Sequence, residues 1–584
     1  MFSLLRLFKK KDWLVVGLIV GLVLMQVWLD LTLPDYTSAL VQKVSQGPEV
    51  VTMDDVWSNG LMMLLCAFGS MMCSFVCGFF CTRLGSRFSR SLRSTLFDKV
   101  TSFSSREMRE FSTPSLITRT TNDVVQIQMF ISIGLQIMIK APVTAIWAIT
   151  KISATGVEWT MATLLVVLSI VLVVGIVVLL VLLKFKKSQK LIDNLNDATR
   201  ENVSGVRVIR AFNAEDYQEQ KFEKANKELM DNRLFTSKAM GLLMPYVTLC
   251  MNVLSIAIYW IGAYLINDAA LMDKVVLMGN MTAFMQIAIH IVMSFIMMIV
   301  VFIVLPRALV SAKRIKEVLK TSPSIVEGDF DGETDSKGEI EFRGVSFRYP
   351  DGQNDVINDI NFSVSKGEIV AIVGSTGSGK TSLIDLIPRF RDVTQGEVLV
   401  DGINVKDYKS DALQKKVAVV SQKAVLFKGD IKSNVIYGHQ GRVLDDDQKV
   451  LDALEIARAD FVGELEKGIH APVAQGGTNF SGGQKQRLSI ARAIYKDAEI
   501  IIFDDSFSAL DYKTDMLVRK GIKEKLQDKT IVIVAQRIGT IRDADKILVL
   551  DGGKIVGMGK HQELLDSCPL YKEIALSQLS KEEL

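Results

Sequence analysis

Gly367-Glu-Ile-Val-Ala-Ile-Val-Gly374-Ser-Thr-Gly-Ser-Gly-Lys380-Thr381 is the stretch that decides the fold of the second half of this chain. An apolar run of strand length leads directly into a glycine-rich loop, and a helical segment follows the loop. This order is that of a phosphate-binding loop, in which backbone amides and a helix N-terminus cradle phosphates, the lysine reaches the β and γ oxygens and the threonine holds Mg²⁺. The predicted nucleotide-binding residues here are Gly374, Ser375, Thr376, Gly377, Ser378, Gly379, Lys380, Thr381 and Ser382.

A second nucleotide element lies further along, in Ile500-Ile-Ile-Phe-Asp504. Four apolar residues end in a carboxylate, which is expected to bind the metal through water. Alone this pattern is weak evidence, but together with the phosphate loop it predicts a site for ATP and Mg²⁺, with Thr381 and Asp504 on the metal side. From Gly338 onwards apolar strands alternate with helical segments, which is the pattern of an α/β domain.

The first half of the chain has a different composition. The 584 residues are too many for a single core, and the formal net charge of +3 is unevenly distributed, with long stretches nearly free of charge in the first half. Six apolar stretches are each long enough to cross the ~30 Å hydrocarbon core of a bilayer. They are Trp13–Leu33, Trp57–Cys81, Ile127–Thr150, Met161–Leu183, Met240–Ile266 and Met278–Leu305.

The predicted fold is therefore an all-α transmembrane domain of six helices followed by an α/β P-loop ATPase domain. We place the transmembrane domain at residues 1–320, a loop-like linker at 321–337 and the ATPase domain at 338–584. Because no small-residue cleavage site follows the first apolar run, that run is expected to be a retained helix rather than a signal peptide.

Basic residues set the orientation. Lys and Arg are concentrated before the first helix, between the second and third, and between the fourth and fifth, whereas the other loops carry only Lys43, Lys151 and Lys274. The positive-inside rule then places both termini in the cytoplasm. The two long basic loops are expected to continue the membrane helices, with tips at Phe111–Asp123 and Ala211–Tyr217 as candidate docking elements for the ATPase domain.

Lys140 and His290 are ionisable groups within the predicted membrane helices. An intramembrane charge is a functional hypothesis by default. For Lys140, a cavity or ligand contact and a structural partner are equally open, whereas a neutral His290 in a helix interface favours a structural role. The many methionines suit an adaptable apolar pocket and lipid-facing filler equally well.

Asn479-Phe-Ser481-Gly482-Gly483-Gln484 matches the signature peptide of ABC ATPases, and with the motifs above the chain resembles an ABC exporter half-transporter over nearly its whole length. In that family two ATPase domains close head to tail, so that each ATP lies between the phosphate loop of one and the signature of the other. The resemblance implies that Tyr349 stacks on adenine and that Gln422 contacts Mg²⁺. It also implies that Ser508–Asp511 crosses between the domains and that Ser481, Gly482, Gly483 and Gln484 touch the partner's nucleotide.

Two departures from the family pattern are informative. Asp505 stands where a glutamate normally polarises the attacking water, and Gln536 stands where a histidine is usual. The carboxylate is withdrawn by about 1.5 Å, and an amide cannot exchange a proton. Since a well-placed general base is worth roughly 10² to 10⁴ in rate, these catalytic positions predict a degenerate site that hydrolyses ATP slowly.

The expected protein is thus the degenerate-site subunit of a bacterial heterodimeric multidrug exporter in the plasma membrane. Its expected partners are a second, non-identical half-transporter, membrane lipids and a hydrophobic small-molecule substrate, with no nucleic acid. Lipid or peptide export is the alternative. A regulated channel or an ATP-sensing receptor is the rival class, and it would be expected to carry a further regulatory segment.

Overall fold

The structure is a computed structural model that describes residues 8–46, 52–153, 156–438 and 446–578. As far as the described residues go, the chain divides into two compact units, one of Met1–Thr101 and Ser112–Thr321, the other of Ser102–Phe111 and Ser322–Leu584. The predicted boundaries at 320 and 338 remain predictions.

The first unit is built of helices. One short helix in this part of the sequence, α3, belongs to the second unit. Six helical stretches among the described residues are long and apolar enough to cross a membrane, which confirms the six predicted spans. The helices are α1 Lys10–Ser45, α2 Met53–Thr101, α3 Ser105–Phe111, α4 Thr113–Thr120, α5 Asn122–Met129, α6 Leu135–Ser153, α7 Val157–Ala211, α8 Glu215–Gly241, α9 Leu243–Asp268 and α10 Leu271–Lys320.

Several of these helices are much longer than a bilayer is thick. The helix α7 has 55 residues, which at 1.5 Å per residue is about 80 Å against a ~30 Å hydrocarbon core. The polar second half of α7 and the polar α8 therefore extend beyond the membrane, as the composition of the basic loops predicted.

The third membrane span is interrupted. Between α5 and α6 the chain makes a π-helical turn at Phe130–Gly134. The helix α2 packs closely against this turn, because a Cβ atom at Gly85 would lie 2.3 Å from the Ser132 hydroxyl. The buried Trp159 of α7 contacts two other spans. Its indole N–H donates to the Ile258 carbonyl of α9 at 3.2 Å, and its ring lies 5.5 Å from that of Phe284 of α10.

The membrane unit contains a further ionisable group, Asp30, that the sequence analysis did not predict. Asp30 lies within the first predicted span, and its carboxylate Oδ2 is 3.1 Å from the Lys140 ammonium. His290 interacts electrostatically with both groups. Asp30 was missed because a single acidic residue near the end of a long apolar run does not lower its hydropathy enough to stand out.

The second unit is built on a mainly parallel sheet with an antiparallel sheet beside it. The six-stranded sheet has the order β12-β11-β3-β10-β9-β6, and the four-stranded sheet has the order β2-β1-β4-β5. The strands are β1 Ile340–Phe347, β2 Ile357–Val364, β3 Ile369–Gly374, β4 Gln395–Val400, β5 Ile403–Asn404, β6 Val417–Val420, β7 Gly429–Asp430, β8 Pro472–Val473, β9 Ile500–Asp504, β10 Thr530–Val534, β11 Lys546–Asp551 and β12 Lys554–Gly559.

Successive side chains of the buried strands point alternately into two hydrophobic cores, one on each face of the six-stranded sheet. On β9, Ile500 and Ile502 pack in the core shared with the antiparallel sheet, whereas Ile501 and Phe503 pack in the core beneath the helices. This is the period of two that a strand imposes when both faces are covered. The helices of this unit are α11 Lys380–Ile384, α12 Ser410–Lys416, α13 Ile431–Val435, α14 Asp447–Ile456, α15 Gly482–Tyr495, α16 Tyr512–Lys525, α17 Ile538–Ile541, α18 His561–Ser567 and α19 Pro569–Gln578.

The segment Ser102–Phe111, with its helix α3, belongs to the ATPase unit. Its Glu107 is buried and accepts hydrogen bonds from the Ser104 amide at 2.8 Å and the Ser324 amide at 3.2 Å. The segment that packs with the ATPase residues thus ends where the predicted docking tip Phe111–Asp123 begins. The second predicted tip, Ala211–Tyr217, stays with the membrane unit.

Candidate functional site

The carboxyl ends of three neighbouring parallel strands bring the sequence-predicted residues together. In the register of the sheet, Val534 of β10 lies beside Asp504 of β9, and Gly374 of β3 lies beside Leu550 of β11. Open α/β sheets bind ligands at this edge. The phosphate loop, Asp504, Asp505 and Gln536 all follow these strand ends.

Glycines allow the phosphate loop to pass close to the neighbouring strand. A Cβ atom at Gly374 would lie 2.0 Å from the Leu550 carbonyl oxygen, and Gly379 has a φ of +99°, which favours glycine. The Lys380 ammonium reaches back along the loop, donating to the carbonyls of Gly374 at 2.9 Å and Ser375 at 2.7 Å. Burial lowers the pKa of Lys380, and the carboxylates of Asp505 and Asp504 oppose that shift.

Oxygen ligands suited to Mg²⁺ meet beside this loop. The Thr381 hydroxyl donates to Asp504 Oδ1 at 3.1 Å. Burial raises the pKa of Asp504, and the nearby Asp385 and Asp505 carboxylates add to the shift. The described residues contain no group of three or more His, Cys, Asp or Glu side chains that could hold a metal ion alone. This set fits Mg²⁺, which takes one or two carboxylates and completes its shell with water and phosphate oxygens.

The carboxylate of Asp505 is held by two amides. Gln422 Nε2 donates to Asp505 Oδ2 at 3.0 Å, and Gln536 Nε2 donates to the same oxygen at 3.1 Å. Asp505 itself has a φ of +46°, and its amide donates to the Val534 carbonyl at 2.9 Å. Both departures from the family pattern therefore contact each other, and the amide of Gln536 supplies a donor but no titratable proton.

Tyr349 contacts the end of the phosphate-loop segment. Its hydroxyl is 2.9 Å from the Ser382 hydroxyl. Its ring meets Phe347 edge to face at 5.0 Å. Two guanidinium groups also lie over the ring, Arg391 at 4.8 Å and Arg109 of α3 at 5.3 Å from the centroid. The aromatic platform predicted for adenine is thus built on the phosphate loop and contacts the segment Ser102–Phe111.

The signature peptide forms the start of α15. Ser481 caps this helix, because its hydroxyl accepts from the Gln484 amide at 3.3 Å and Gln484 Oε1 accepts from the Ser481 amide at 2.9 Å. A Cβ atom at Gly482 would meet nothing within 4 Å, and one at Gly483 would lie 3.2 Å from the Ala509 carbonyl. The helix is tied to the Gln422 loop, since Gln486 donates to the Ser421 carbonyl at 3.3 Å.

A cavity of about 260 Å³ collects most of these groups. Its lining does not include Ser481–Gln484, so this chain's phosphate loop and signature do not share that cavity. Sequence reasoning missed Arg109, Arg391 and Gln578, whose side chain donates to the Gln536 carbonyl at 2.8 Å. No motif marks these three residues. The lining residues are Val356, Thr376, Gly377, Gly379, Lys380, Thr381, Ser382, Gln422, Asp504, Asp505, Val534 and Gln536.

Two family models match the chain, "ABC transporter" over residues 357–508 and "ABC transporter transmembrane region" over residues 15–295. An uncharacterised ABC transporter ATP-binding protein of Mycobacterium tuberculosis is 37% identical over 522 residues, covering 88% of this chain and 87% of that protein. The chain belongs to the ABC transporter family.

Other ABC transporters are similar over comparable lengths. The uncharacterised ABC transporter ATP-binding protein YfiB of Bacillus subtilis is 33% identical, covering 90% of each chain. An ATP-dependent lipid A-core flippase of Pseudomonas aeruginosa is 31% identical, covering 87% of this chain and 83% of the flippase. A solved bacterial Atm1-family ABC exporter with ATP bound has the same fold, with a TM-score of 0.79 at 23% identity over 98% of this chain and 100% of that one.

This ABC transporter chain is an exporter-type half-transporter, with a multi-pass membrane domain of six helices fused to one ATP-binding ABC ATPase domain. Half-transporters of this kind work as dimers, and their ATP hydrolysis is coupled to translocation.

Proposed function

We propose that this chain exports amphipathic or apolar compounds across the plasma membrane, paired with a non-identical half-transporter that supplies the faster ATPase site. The observation that supports the pairing is the contact of both Gln422 and Gln536 with Asp505. A short carboxylate fixed by two amides, with no histidine beside it, is a poor arrangement for activating water. In a dimer of identical chains both sites would share this defect.

The geometry of the site supports the following roles. Lys380 would neutralise the phosphates, Thr381 and Asp504 would hold Mg²⁺, and Tyr349 would stack on adenine. The chemistry Mg²⁺ supplies when bound is charge neutralisation at the phosphate oxygens. Ser481, Gly482, Gly483 and Gln484 would complete the nucleotide site of the partner half-transporter.

An apolar cavity in the membrane unit supports an apolar or amphipathic substrate. It has a volume of about 490 Å³ and lies between α7 and α10, where Ile170, Val174, Phe295 and Met298 form part of its wall. This volume is within the range of ligand pockets, roughly 300–1,000 Å³. Lipid export is the second candidate, supported by the similar lipid A-core flippases and by the charged pair of Asp30 and Lys140 inside the membrane unit.

The test is ATP hydrolysis by the purified chain with and without the chain that co-purifies with it, in the presence and absence of Nile red, a neutral amphipathic dye. We expect dye-stimulated hydrolysis only from the two-chain complex. A normal, dye-stimulated rate from this chain alone would contradict the heterodimer, and a complex without any ATP hydrolysis would contradict an exporter function.

A further inference from the structure

Polar side chains from three helices meet inside the membrane unit. They are Asp30 of α1, Ser70 of α2 and Lys140 of α6, and His290 of α10 interacts electrostatically with Asp30 and Lys140. Ser70 and Lys140 each lie near the middle of a predicted apolar span, and Asp30 lies within the first span near its end, so the charged pair lies inside the apolar part of the membrane unit. The predicted membrane helices are otherwise strongly apolar here, and a charge at this depth is costly.

The two charges of the cluster form a pair. The Lys140 ammonium lies 3.1 Å from Asp30 Oδ2, and the Ser70 hydroxyl donates to Asp30 Oδ1. The pair is not sealed, because both side chains keep 19% of their surface exposed. Part of each charged group is therefore accessible in the single chain.

Two further polar atoms beside the pair have no hydrogen-bond partner among the described residues, Gln26 Oε1 and Thr144 Oγ1. Both residues are only 5% exposed. Gln26 is one turn from Asp30 on α1, and Thr144 is one turn from Lys140 on α6, so each lies on the same helix face as its charged neighbour. Thr163 and Thr248, by contrast, donate to the carbonyl one turn earlier, at 2.9 and 3.0 Å.

The arrangement has a polarity. On α1 it presents a carboxylate and an amide oxygen, which accept hydrogen bonds, and on α6 it presents an ammonium, which donates them, and a hydroxyl, which can donate or accept. An ammonium group suits the first pair, and a phosphate or carboxylate suits the second. The oxygens of Gln26 and Thr144 are buried, and a ligand that entered between the helices would supply the hydrogen-bond partners that they lack.

We propose that Asp30, Gln26, Lys140 and Thr144 form a binding site for the zwitterionic headgroup of a membrane lipid, of the phosphoethanolamine kind. This proposal rests on the exporter function above and names a substrate class for it. A ligand dipole antiparallel to the Asp30–Lys140 pair leaves no net charge at this depth, whereas a purely anionic or cationic headgroup would leave one charge uncompensated. A lipid is favoured over a soluble zwitterion because the site lies among apolar membrane-spanning helices.

The experiment uses the full chain with its co-purifying partner in dodecylmaltoside micelles, a neutral background. Phosphatidylethanolamine, phosphatidylglycerol or soluble phosphoethanolamine is added, and the stimulation of ATP hydrolysis is measured relative to each protein's own basal rate. We expect half-maximal stimulation at a concentration of phosphatidylethanolamine roughly tenfold lower than that of phosphatidylglycerol, the difference of about one charge-assisted hydrogen bond.

Charge variants test the polarity. Asp30→Asn leaves Lys140 unbalanced and is expected to reverse the preference towards phosphatidylglycerol, whereas Lys140→Gln is expected to weaken stimulation by both lipids. The double variant Asp30→Asn with Lys140→Gln leaves no lone charge to disturb folding and should abolish the preference. The matched control is Asp35→Asn, which breaks the outer pair of the same two helices, Asp35 with Lys151 at 2.5 Å, and should change neither the basal rate nor the preference.

Three results would overturn the proposal. They are equal stimulation by both lipids in the unsubstituted complex, a preference that survives in the double variant, and equal stimulation by soluble phosphoethanolamine. If the Asp30–Lys140 pair only stabilised the packing of α1 against α6, its variants would have lower thermal stability and an unchanged lipid preference. Absence of basal ATP hydrolysis in the unsubstituted complex would instead contradict the exporter function itself.

Discussion

Lys380 is the residue on which nucleotide binding at this chain's own site most depends. Its ammonium is held beside the phosphate loop by the carbonyls of Gly374 and Ser375. Lys380→Ala removes the only charge that the loop offers to the phosphates, so photolabelling of this chain with an azido-ATP analogue should be lost. Lys366→Ala, an exposed lysine of the same domain, is the matched control. Unchanged labelling of Lys380→Ala would mean that the loop has been misread.

Asp505 and Gln536 are expected to limit the rate of ATP hydrolysis at this chain's own site. The substitutions Asp505→Glu and Gln536→His introduce the longer carboxylate and a titratable ring. They should raise ATP hydrolysis at this chain's site by roughly 10²-fold, the lower end of what a positioned general base contributes. The assay is made in a Ser481→Arg background, which disables the other composite site and isolates this one. No increase in the repaired variant would show that these two positions do not limit the site.

The sequence identified most of the residues of the nucleotide site because their motifs depend on local spacing. The phosphate loop and Asp504 each follow a strand, and the parallel sheet brings such strand ends together. The contacts of Asp505 with Gln422 and Gln536 join residues 83 and 31 positions apart, and no local pattern reveals them. The pairing of Asp30 with Lys140, 110 positions apart, was missed for the same reason.

Among the elements, α3 connects the membrane half of the sequence to the ATPase fold. The side chain of Glu107 is buried there, and burial raises its pKa, but hydrogen bonds from Ser104 and Ser324 outweigh burial, so the pKa of Glu107 is lowered overall. A carboxylate with a depressed pKa stabilises the folded arrangement above its unfolded-state pKa. That contribution is lost as the pH falls through the folded-state value.

Glu107→Gln is therefore expected to loosen this segment by about 1.5–3 kcal/mol, the typical worth of hydrogen bonds to a charged group. Hydrogen exchange of residues 102–111 should become faster at neutral pH. Lowering the pH below the usual range of a glutamate should reduce the protection factors of the same amides in the unsubstituted protein, once the slower intrinsic exchange at acid pH is taken into account. Glu110→Gln, an exposed change on the same helix, should leave the exchange unaltered. Equal protection in Glu107→Gln and Glu110→Gln would contradict the role given to Glu107.

Composition predicts the lengths of the membrane helices better than it predicts their local irregularities. The long α7 follows from a polar, helix-forming continuation of an apolar span, and this extension was predicted. The π-helical turn at Phe130–Gly134, where α2 approaches closely at Gly85, was not predicted, because no proline or other local breaker lies within it. The helix α3 lies just before the predicted tip Phe111–Asp123, and within that tip Pro114 and Asn122 lie in the first turns of α4 and α5.

For the whole molecule, the distribution of basic residues predicts that both termini and both long loops face the cytoplasm. Single cysteines introduced at Lys43, Lys151 or Lys274 should react with a membrane-impermeant maleimide from outside intact cells. The six native cysteines must first be replaced, five of them in the membrane half and one, Cys568, in the ATPase unit. Labelling that occurs only after the cells are opened would contradict this orientation.

The last prediction concerns the asymmetry of the dimer. If the partner carries the faster site, that site needs the signature of this chain, where Ser481 caps α15 and Gly482 leaves open space in front of it. Ser481→Arg would fill that space and should nearly abolish hydrolysis by the complex. Asp505→Asn should leave much of the hydrolysis intact, because it alters only the slow site, whose nucleotide could keep the two domains in contact between turnovers. Steady-state hydrolysis of the two complexes, purified in parallel, makes the comparison. Equal losses from the two substitutions would mean that both sites contribute alike, and the proposed heterodimer would then lose its basis.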